Sequence, residues 1–452
     1  MTIVFEIFSE EIPATLQEGI ALNYEKFVKE ELIIKNDNKC QLLIGITLNR
    51  LVMIINNYDI GKDELKSFIN KTLKDFSKTF PRTMCYPQSD VRWIRPIRNI
   101  FACIDNSVID GEFYGIKADK CTFVEKFIVC RCNSCEEYLN CLKKNKIEIN
   151  YNKRLDFVIK EIKFCKINEE RYLYLAKEIA GMDECCTEPI KCVLDKKFRI
   201  LPFELIKLVL QKNQRYVVYK NKTDIEYLIF CSKITEDKKK RDLIKKGHEK
   251  VVDARLKDAM YYWALDADER KSFKDEKKYK DKLKSILSSR IFVNNVSWKD
   301  YLSYQSDLAH KFIKDKEILE KIENLIYDTK LDLVTNVVNE FPELQGIIGN
   351  IYFKYGFNPY MIGLFSPKEN DIIKIYYHII DRLAYISKMY ELGNQPTGRG
   401  DKFKVKKRMD DFISAVENKN LDEKTKNGII FFIKDKDYYE LFLKRRKEIN
   451  LK

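Results

Sequence analysis

The chain has 452 residues, 45% of them hydrophobic, and 83 Lys and Arg against 69 Asp and Glu leave a formal charge of +14. That much apolar material excludes a disordered chain and suits about two to four domains with their own cores. An odd thirteen cysteines and no basic-then-apolar opening argue against a secretory disulfide framework, and no run approaches the ~20 apolar residues of a membrane span, so a cytoplasmic protein is expected. The distributed positive charge permits an RNA partner and equally fits a Lys-rich soluble protein.

In chain order, Ile3 to Phe8 reads as a β-branched strand. Ser9 then serves as the expected cap of a helix with Pro13 in its first turn, running to Ile33. Leu42–Ile46 and Leu51–Ile55 read as strands, and Arg215–Lys220 with Ile225–Cys231 as a hairpin across Asn221 to Asp224. Past about residue 236 the basic run Lys238–Arg241 opens a half that reads as all-helical. There Leu331, Val334, Val337, Val338 and Phe341 recur at helical steps, and a helix over Ile372–Leu392 lies between a capping Asp371 and a terminating Gly393.

Six segments in order resemble the β subunit of bacterial glycyl-tRNA synthetase. IVFEIFSEEIPA (Ile3–Ala14) is similar to that family's EIGTEELPA block, and FPRTMCYPQSDVRWIRPIRNIFACI (Phe80–Ile104) to its segment ending R-P-I-R-W. Lys212, Gln214, Arg215 and Tyr216 match a Q-R-Y-F or Q-K-Y-F block, and GHEKVVDARLKDAMYYW (Gly247–Trp263) matches G-N-E-K-V-V-R-P-R-L-A-D-A. LDLVTNVVNEFPELQGIIGNIYF (Leu331–Phe353) looks like A-D-L-V-T-E-M-V-G-E-F-P-E-L-Q-G-I-M-G, and GNQPTGRGDKFKVKKR (Gly393–Arg408) like P-T-G-S-K-D-P-F, with Lys402 in place of proline. Asn57 to Phe80 lacks the family's glycine-rich insert, Ser285 to Asp307 matches poorly, and the family's C-terminal helical anticodon-binding domain has at most a helix or two left, in Asn427–Lys452.

The resemblance implies an α+β multidomain chain: a mixed α/β tRNA-binding body over 1–236, a basic helical connector over 237–285, an all-helical HD-like module over 286–408, and a helical remnant over 409–452. It implies a tRNA-Gly-holding subunit that assembles with a catalytic α chain as two α and two β chains. It also implies that ATP and Mg²⁺ are used by the complex and that this chain binds no cofactor itself. In agreement, the sequence has no phosphate-cradling glycine loop ending in Lys-Ser or Lys-Thr. Loss of most of the anticodon-binding domain shifts the expected tRNA discrimination toward the acceptor end.

The expected tRNA contacts are Arg92, Arg95, Arg98, Gln214, Arg215, Lys250, Arg255, Arg399 and Lys402. Arg95 precedes Pro96, which suits the first position of a helix, so three arginines would gather at a phosphate-binding helix start. The alternative is that they pair with Asp90 and Asp105. Lys238–Lys250 reads either as a phosphate track or as a solvated helix face. Cys130, Cys132, Cys135 and Cys141 form the most metal-like cluster, but the spacing is not a zinc ribbon's, so ordinary reduced thiols are expected, as for Cys185, Cys186 and Cys192.

An HD-type phosphohydrolase needs a His-Asp dipeptide, whereas His248, His310 and His378 precede Glu249, Lys311 and Ile379; Asp332 and Asp381 are then remnants, and a His378–Asp381 hydrogen bond is expected. The remaining alternative is a free-standing RNA-binding protein derived from the same subunit.

Overall fold

The computed structural model describes residues 1–32, 40–80, 83–85, 91–125, 128–165, 172–230, 238–270, 276–289, 291–293, 296–352, 372–391, 413–414, 416–417 and 423–434. They form two compact units, Met1–Leu256 and Lys257–Lys452. The expectations for Asp90, Asp371, Gly393, Arg399 and Lys402 lie outside the described residues.

The first unit opens with β1 (Thr2–Ser9), α1 (Ala14–Glu31), β2 (Gln41–Ile46), β3 (Arg50–Asn56) and α2 (Lys62–Lys74). There follow β4 (Met84–Cys85), β5 (Arg92–Trp93), β6 (Ile97–Ile104), β7 (Ser107–Val108), β8 (Gly111–Phe113), β9 (Ile116–Ala118), β10 (Cys121–Glu125) and β11 (Ile128–Arg131). Next come α3 (Cys135–Lys144), α4 (Tyr151–Phe164), α5 (Leu173–Met182), β12 (Ile190–Val193), α6 (Phe203–Gln214), β13 (Val217–Asn221), β14 (Asp224–Ile229) and α7 (Lys238–Arg270), inside which the division between units falls.

Among the described residues the main sheet has the order β2-β3-β1-β6-β9-β8, with β7 also on β6. β1 is central and antiparallel to both neighbours, so Glu6 faces Val52 on one side and Phe101 on the other. Side chains alternate across the sheet, and here both faces are covered. Ile3, Phe5 and Ile7 pack with Tyr24, Val28, Phe68 and Val158 from the helices, while Val4 packs with Val52, Phe101, Cys103 and Tyr138 on the opposite face. Double burial explains why β1 reads as a continuous apolar run. It also places Glu6, on the face of Val4, where no water reaches it.

Three local expectations change here. Ser9 does not cap α1: it ends β1 opposite Ile97, and Pro13 occupies the cap position. Sheet pairing claims Ser9 before a helix can start. Pro96 likewise leads into β6 rather than a helix, because Ile97–Ile104 is β-branched and aromatic and pairs along β1. Finally, the structure joins Cys130 to Cys141 as a disulfide where reduced thiols were expected. The strands expected at Leu42–Ile46 and Leu51–Ile55 are β2 and β3, and the expected hairpin is β13–β14.

The second unit contains α8 (Glu276–Ser289), β15 (Ile291–Val293), β16 (Val296–Ser297), α9 (Trp298–Phe312), α10 (Lys316–Asp328), α11 (Asn336–Glu340), α12 (Ile347–Tyr352), α13 (Ile372–Glu391) and a helix over Glu423–Lys434. The β15–β16 pair corrects the all-helical expectation. Its buried helix faces include Tyr301, Leu302, Leu308, Ile322, Leu325, Ile380 and Leu383. Ser297 and Asp315 cap α9 and α10 by accepting backbone N–H bonds.

The apolar steps from Leu331 to Phe341 are not one helix. A 3₁₀ turn over Leu331–Val334 stops at Thr335, whose extended backbone and Oγ1, accepting from the Val338 N–H at 3.2 Å, start α11 afresh. A threonine able to cap a new helix overrides the spacing. The Asp381 carboxylate accepts from Gln305 Nε2 at 2.6 Å, and Tyr301 Oη donates to the Asp381 carbonyl at 2.9 Å.

Candidate nucleic-acid interface

The arginines expected at one helix start are dispersed along β5 and β6. Arg92 is exposed and donates from Nε to Thr83 Oγ1 at 3.2 Å. Arg95 turns back onto the Ile94 carbonyl at 2.8 Å. Arg98 pairs with Glu10 at 2.5 Å, from the segment between β1 and α1. Asp105, the expected alternative partner, instead accepts the Thr2 N–H at 2.7 Å from a left-handed backbone position.

Arg98 lines a cavity of about 310 Å³ whose other walls include Glu10, Glu11, Asp183 and Glu184. Four carboxylates against Arg98 and the already paired Arg50 make this cleft hostile to phosphate. Burial pushes the Asp183 carboxyl up to about 6, partly offset by N–H bonds from Cys185 and Glu184, so it is ionised near neutrality.

Under the cleft lies a saturated polar cluster built around Arg50. Arg50 is fully buried and opposite Phe8 in the β1–β3 register, with its guanidinium 5.0 Å from the Phe8 ring centroid. It donates to Glu6 Oε2 (2.9 Å), Thr122 Oγ1 (3.0 Å), the Phe123 carbonyl (2.7 Å) and both Glu184 oxygens (2.8 and 2.9 Å). Tyr138 Oη donates to Glu6 Oε2 at 2.7 Å, and Thr122 Oγ1 to Glu6 Oε1 at 2.5 Å. Burial alone would raise the Glu184 carboxyl; the Arg50 charge and its hydrogen bonds outweigh that and hold it below the usual range. Every guanidinium proton is thereby committed to the fold, which leaves none for a phosphate. Sequence reasoning missed this network. Its one signal is Glu6, a charge inside an otherwise apolar strand, which demands a buried partner.

The third and fourth matching segments are brought together. Gln214 ends α6, Arg215 takes the left-handed cap position (φ 57°), and Arg215 Nε pairs with Glu178 on α5 at 2.6 Å. One residue on, Tyr216 Oη shares a 2.7 Å hydrogen bond with His248 Nδ1 of α7. Burial lowers the His248 pKa, so this ring is neutral at pH 7. Beyond His248, α7 turns Val252 and Leu256 inward and leaves Lys246, Lys250 and Arg255 exposed. Arg241 and Lys245 on the same helix are partly held by Glu188 and Glu249, and Lys197 pairs with Asp253. Of the expected contacts, Arg92, Lys250 and Arg255 therefore present exposed cations, while Arg95, Arg98 and Arg215 are engaged within the protein.

A family model described as glycyl-tRNA synthetase beta subunit matches residues 60–362. The chain is 25% identical to the glycine–tRNA ligase beta subunit of Thermotoga petrophila, over 76% of this chain and 52% of the relative. It is 25% identical to that of a Sulfurihydrogenibium species over 88% and 61%, and 26% identical to that of Clostridioides difficile over 79% and 53%. The chain thus spans between about half and three fifths of the length of these curated relatives. With two thirds of its residues inside one family model, and the matching segments in order along the fold, the chain belongs to the glycyl-tRNA synthetase beta subunit family.

Proposed function

We propose that this chain is the β subunit of a two-subunit ligase that joins glycine to tRNA, holding tRNA-Gly while a separate α chain performs the ATP- and Mg²⁺-dependent chemistry, in a complex of two α and two β chains. The observation that carries the reading is the family match over residues 60–362. Contact with RNA is supported by the exposed cations of α7, Lys246, Lys250 and Arg255, opposite its buried Val252 and Leu256. Each cation that meets a phosphate releases condensed counterions, which ties affinity to salt. In this reading residues 286–408 are an HD-like module kept for structure. Asp332 and Asp381 commit their carboxylates to backbone N–H groups and to Gln305, and so hold helices in place.

Division of labour provides the test. The purified chain is expected to give no glycine-dependent pyrophosphate exchange until the α chain is added. Robust exchange by the chain alone overturns the assignment, and tRNA binding that never responds to the α chain favours a free-standing RNA-binding protein instead. Lys250→Ala and Arg255→Ala should each weaken tRNA binding by roughly 1 kcal/mol and shallow the log–log salt slope by about one. Loss of affinity equal at every salt concentration, with a lowered melting temperature, would show that these residues act on the fold.

A further inference from the structure

The β10–β11 hairpin and the start of α3 hold a cluster that the ligase reading does not use. β11 places Cys130 opposite Thr122 of β10, and Cys132 follows directly, anchored by its N–H on the Lys120 carbonyl at 2.9 Å. α3 begins at once: Ser134 accepts the Glu137 N–H at 3.0 Å, which fixes the helix start and turns Cys135, Tyr138, Cys141 and Leu142 to the inner face. Cys132 and Cys141 are buried and Cys130 is half-buried. The sulfurs of Cys130, Cys132 and Cys141 all lie within 4.8 Å of one another. A disulfide uses two of them, Cys130 and Cys141, and leaves the Cys132 thiol donating only to the Cys130 carbonyl, at 3.7 Å.

We propose that Cys130, Cys132 and Cys141, as thiols, are a binding site for zinc or a similarly soft divalent cation. A tetrahedral ion with zinc–sulfur bonds of about 2.3 Å needs sulfurs about 3.8 Å apart, a spacing this cluster reaches with small side-chain rotations. Asn145 Nδ2, which donates to the Cys141 carbonyl at 2.8 Å, also lies 3.9 Å from its sulfur, where an N–H steadies a thiolate. The balance is simple: a phosphine supplies two electrons and becomes its oxide while water gives up the oxygen and the two protons, or a dithiol supplies both electrons and protons and becomes a disulfide; either opens the Cys130–Cys141 bond to two thiols, and the ion then displaces three protons from three thiols. Water or an exogenous ligand takes the fourth position. The bound ion would pin the β10–β11 hairpin to α3, over the face of the sheet that carries Glu6.

The experiment uses the full chain, reduced with a phosphine, exposed to zinc, and freed of excess by gel filtration. Elemental analysis should find about one zinc per chain, as expected of a three-thiolate site. Cys132→Ser and Cys141→Ser should lose it, and Cys85→Ser, on the exposed β4 strand, should keep it. Should the first two variants fail to fold by circular dichroism, cobalt added to the wild-type chain decides. A tetrahedral visible band with a sulfur-to-cobalt charge-transfer band of three-thiolate intensity supports the site. A fully reduced chain that binds no metal, a Cys132→Ser chain that retains it, or cobalt without charge transfer each overturns it.

Discussion

The two units bury carboxylates by different means. In the first, Glu6 and Glu184 are matched by the Arg50 guanidinium, a positive charge with directional donors, and Glu184 stays ionised despite its burial. In the second, the buried Asp266 and Asp332 are matched by backbone N–H groups at helix starts. Asp266 accepts from the Asn336 and Val337 N–H groups, from Asn336 Nδ2 and from Tyr352 Oη. Asp332 Oδ2 accepts from the Gly346 and Gly349 N–H groups, while Oδ1 has no hydrogen-bond partner among the described residues. Burial therefore pushes the Asp332 carboxyl up to about 6, only partly offset by those N–H bonds. Partial charges at a helix terminus orient a carboxylate but do not neutralise it; a guanidinium does both.

Removing the guanidinium should have the largest effect. Arg50→Ala leaves Glu6 and Glu184 facing each other without a counter-charge and should cost roughly 3 to 5 kcal/mol in unfolding by denaturant, with faster hydrogen exchange across β1 and β3. A triple replacement of Arg50, Glu6 and Glu184 by apolar residues of similar volume should recover most of that loss. If the single variant costs less than about 1 kcal/mol, the network is not what holds the sheet together.

Next in size is Asp266→Ala, which leaves the first two N–H groups of α11 and the Asn336 and Tyr352 side-chain donors unmatched. About 2 to 3 kcal/mol should be lost, and Asp266→Asn should restore part of it, since an amide oxygen still accepts while its nitrogen cannot.

The smallest and most diagnostic effects are in pH. Glu184, with its folded pKa held down, contributes stability that is present above the ordinary glutamate range and is lost as pH falls through it. Asp332, with its folded pKa raised from 3.8 to about 6, binds more protons folded than unfolded, so its contribution declines as pH rises between those values and is flat above. Asp332→Asn should therefore gain on the wild type by about 2 to 3 kcal/mol between pH 4 and pH 6 and no further. Glu184→Gln should lose the acid limb instead. Parallel curves for the two variants in chemical denaturation would erase the contrast between the units.

Much of the local structure was legible from residue types. The strands around Leu42–Ile46 and Leu51–Ile55 and the β13–β14 hairpin follow from β-branched runs and a polar turn, and the helix over Ile372–Glu391 from its apolar spacing. The site was less legible. Arg92, Lys250 and Arg255 read the same in sequence as Arg98 and Arg215, yet the latter two are paired, because Glu10 and Glu178 come from distant segments.

By itself, the sequence determined the family through the order of its matching segments, together with the mixed body, the helical character of the second unit and the basic face of α7. Tertiary structure alone decided the rest: that Ser9 and Pro96 serve strands, that Thr335 divides an apolar run, and that Glu6 meets Arg50. The reason is physical. Propensity and spacing act within a few residues, whereas a buried charge, a cap or a thiol is settled by whichever partner the packing brings across tens of residues of chain.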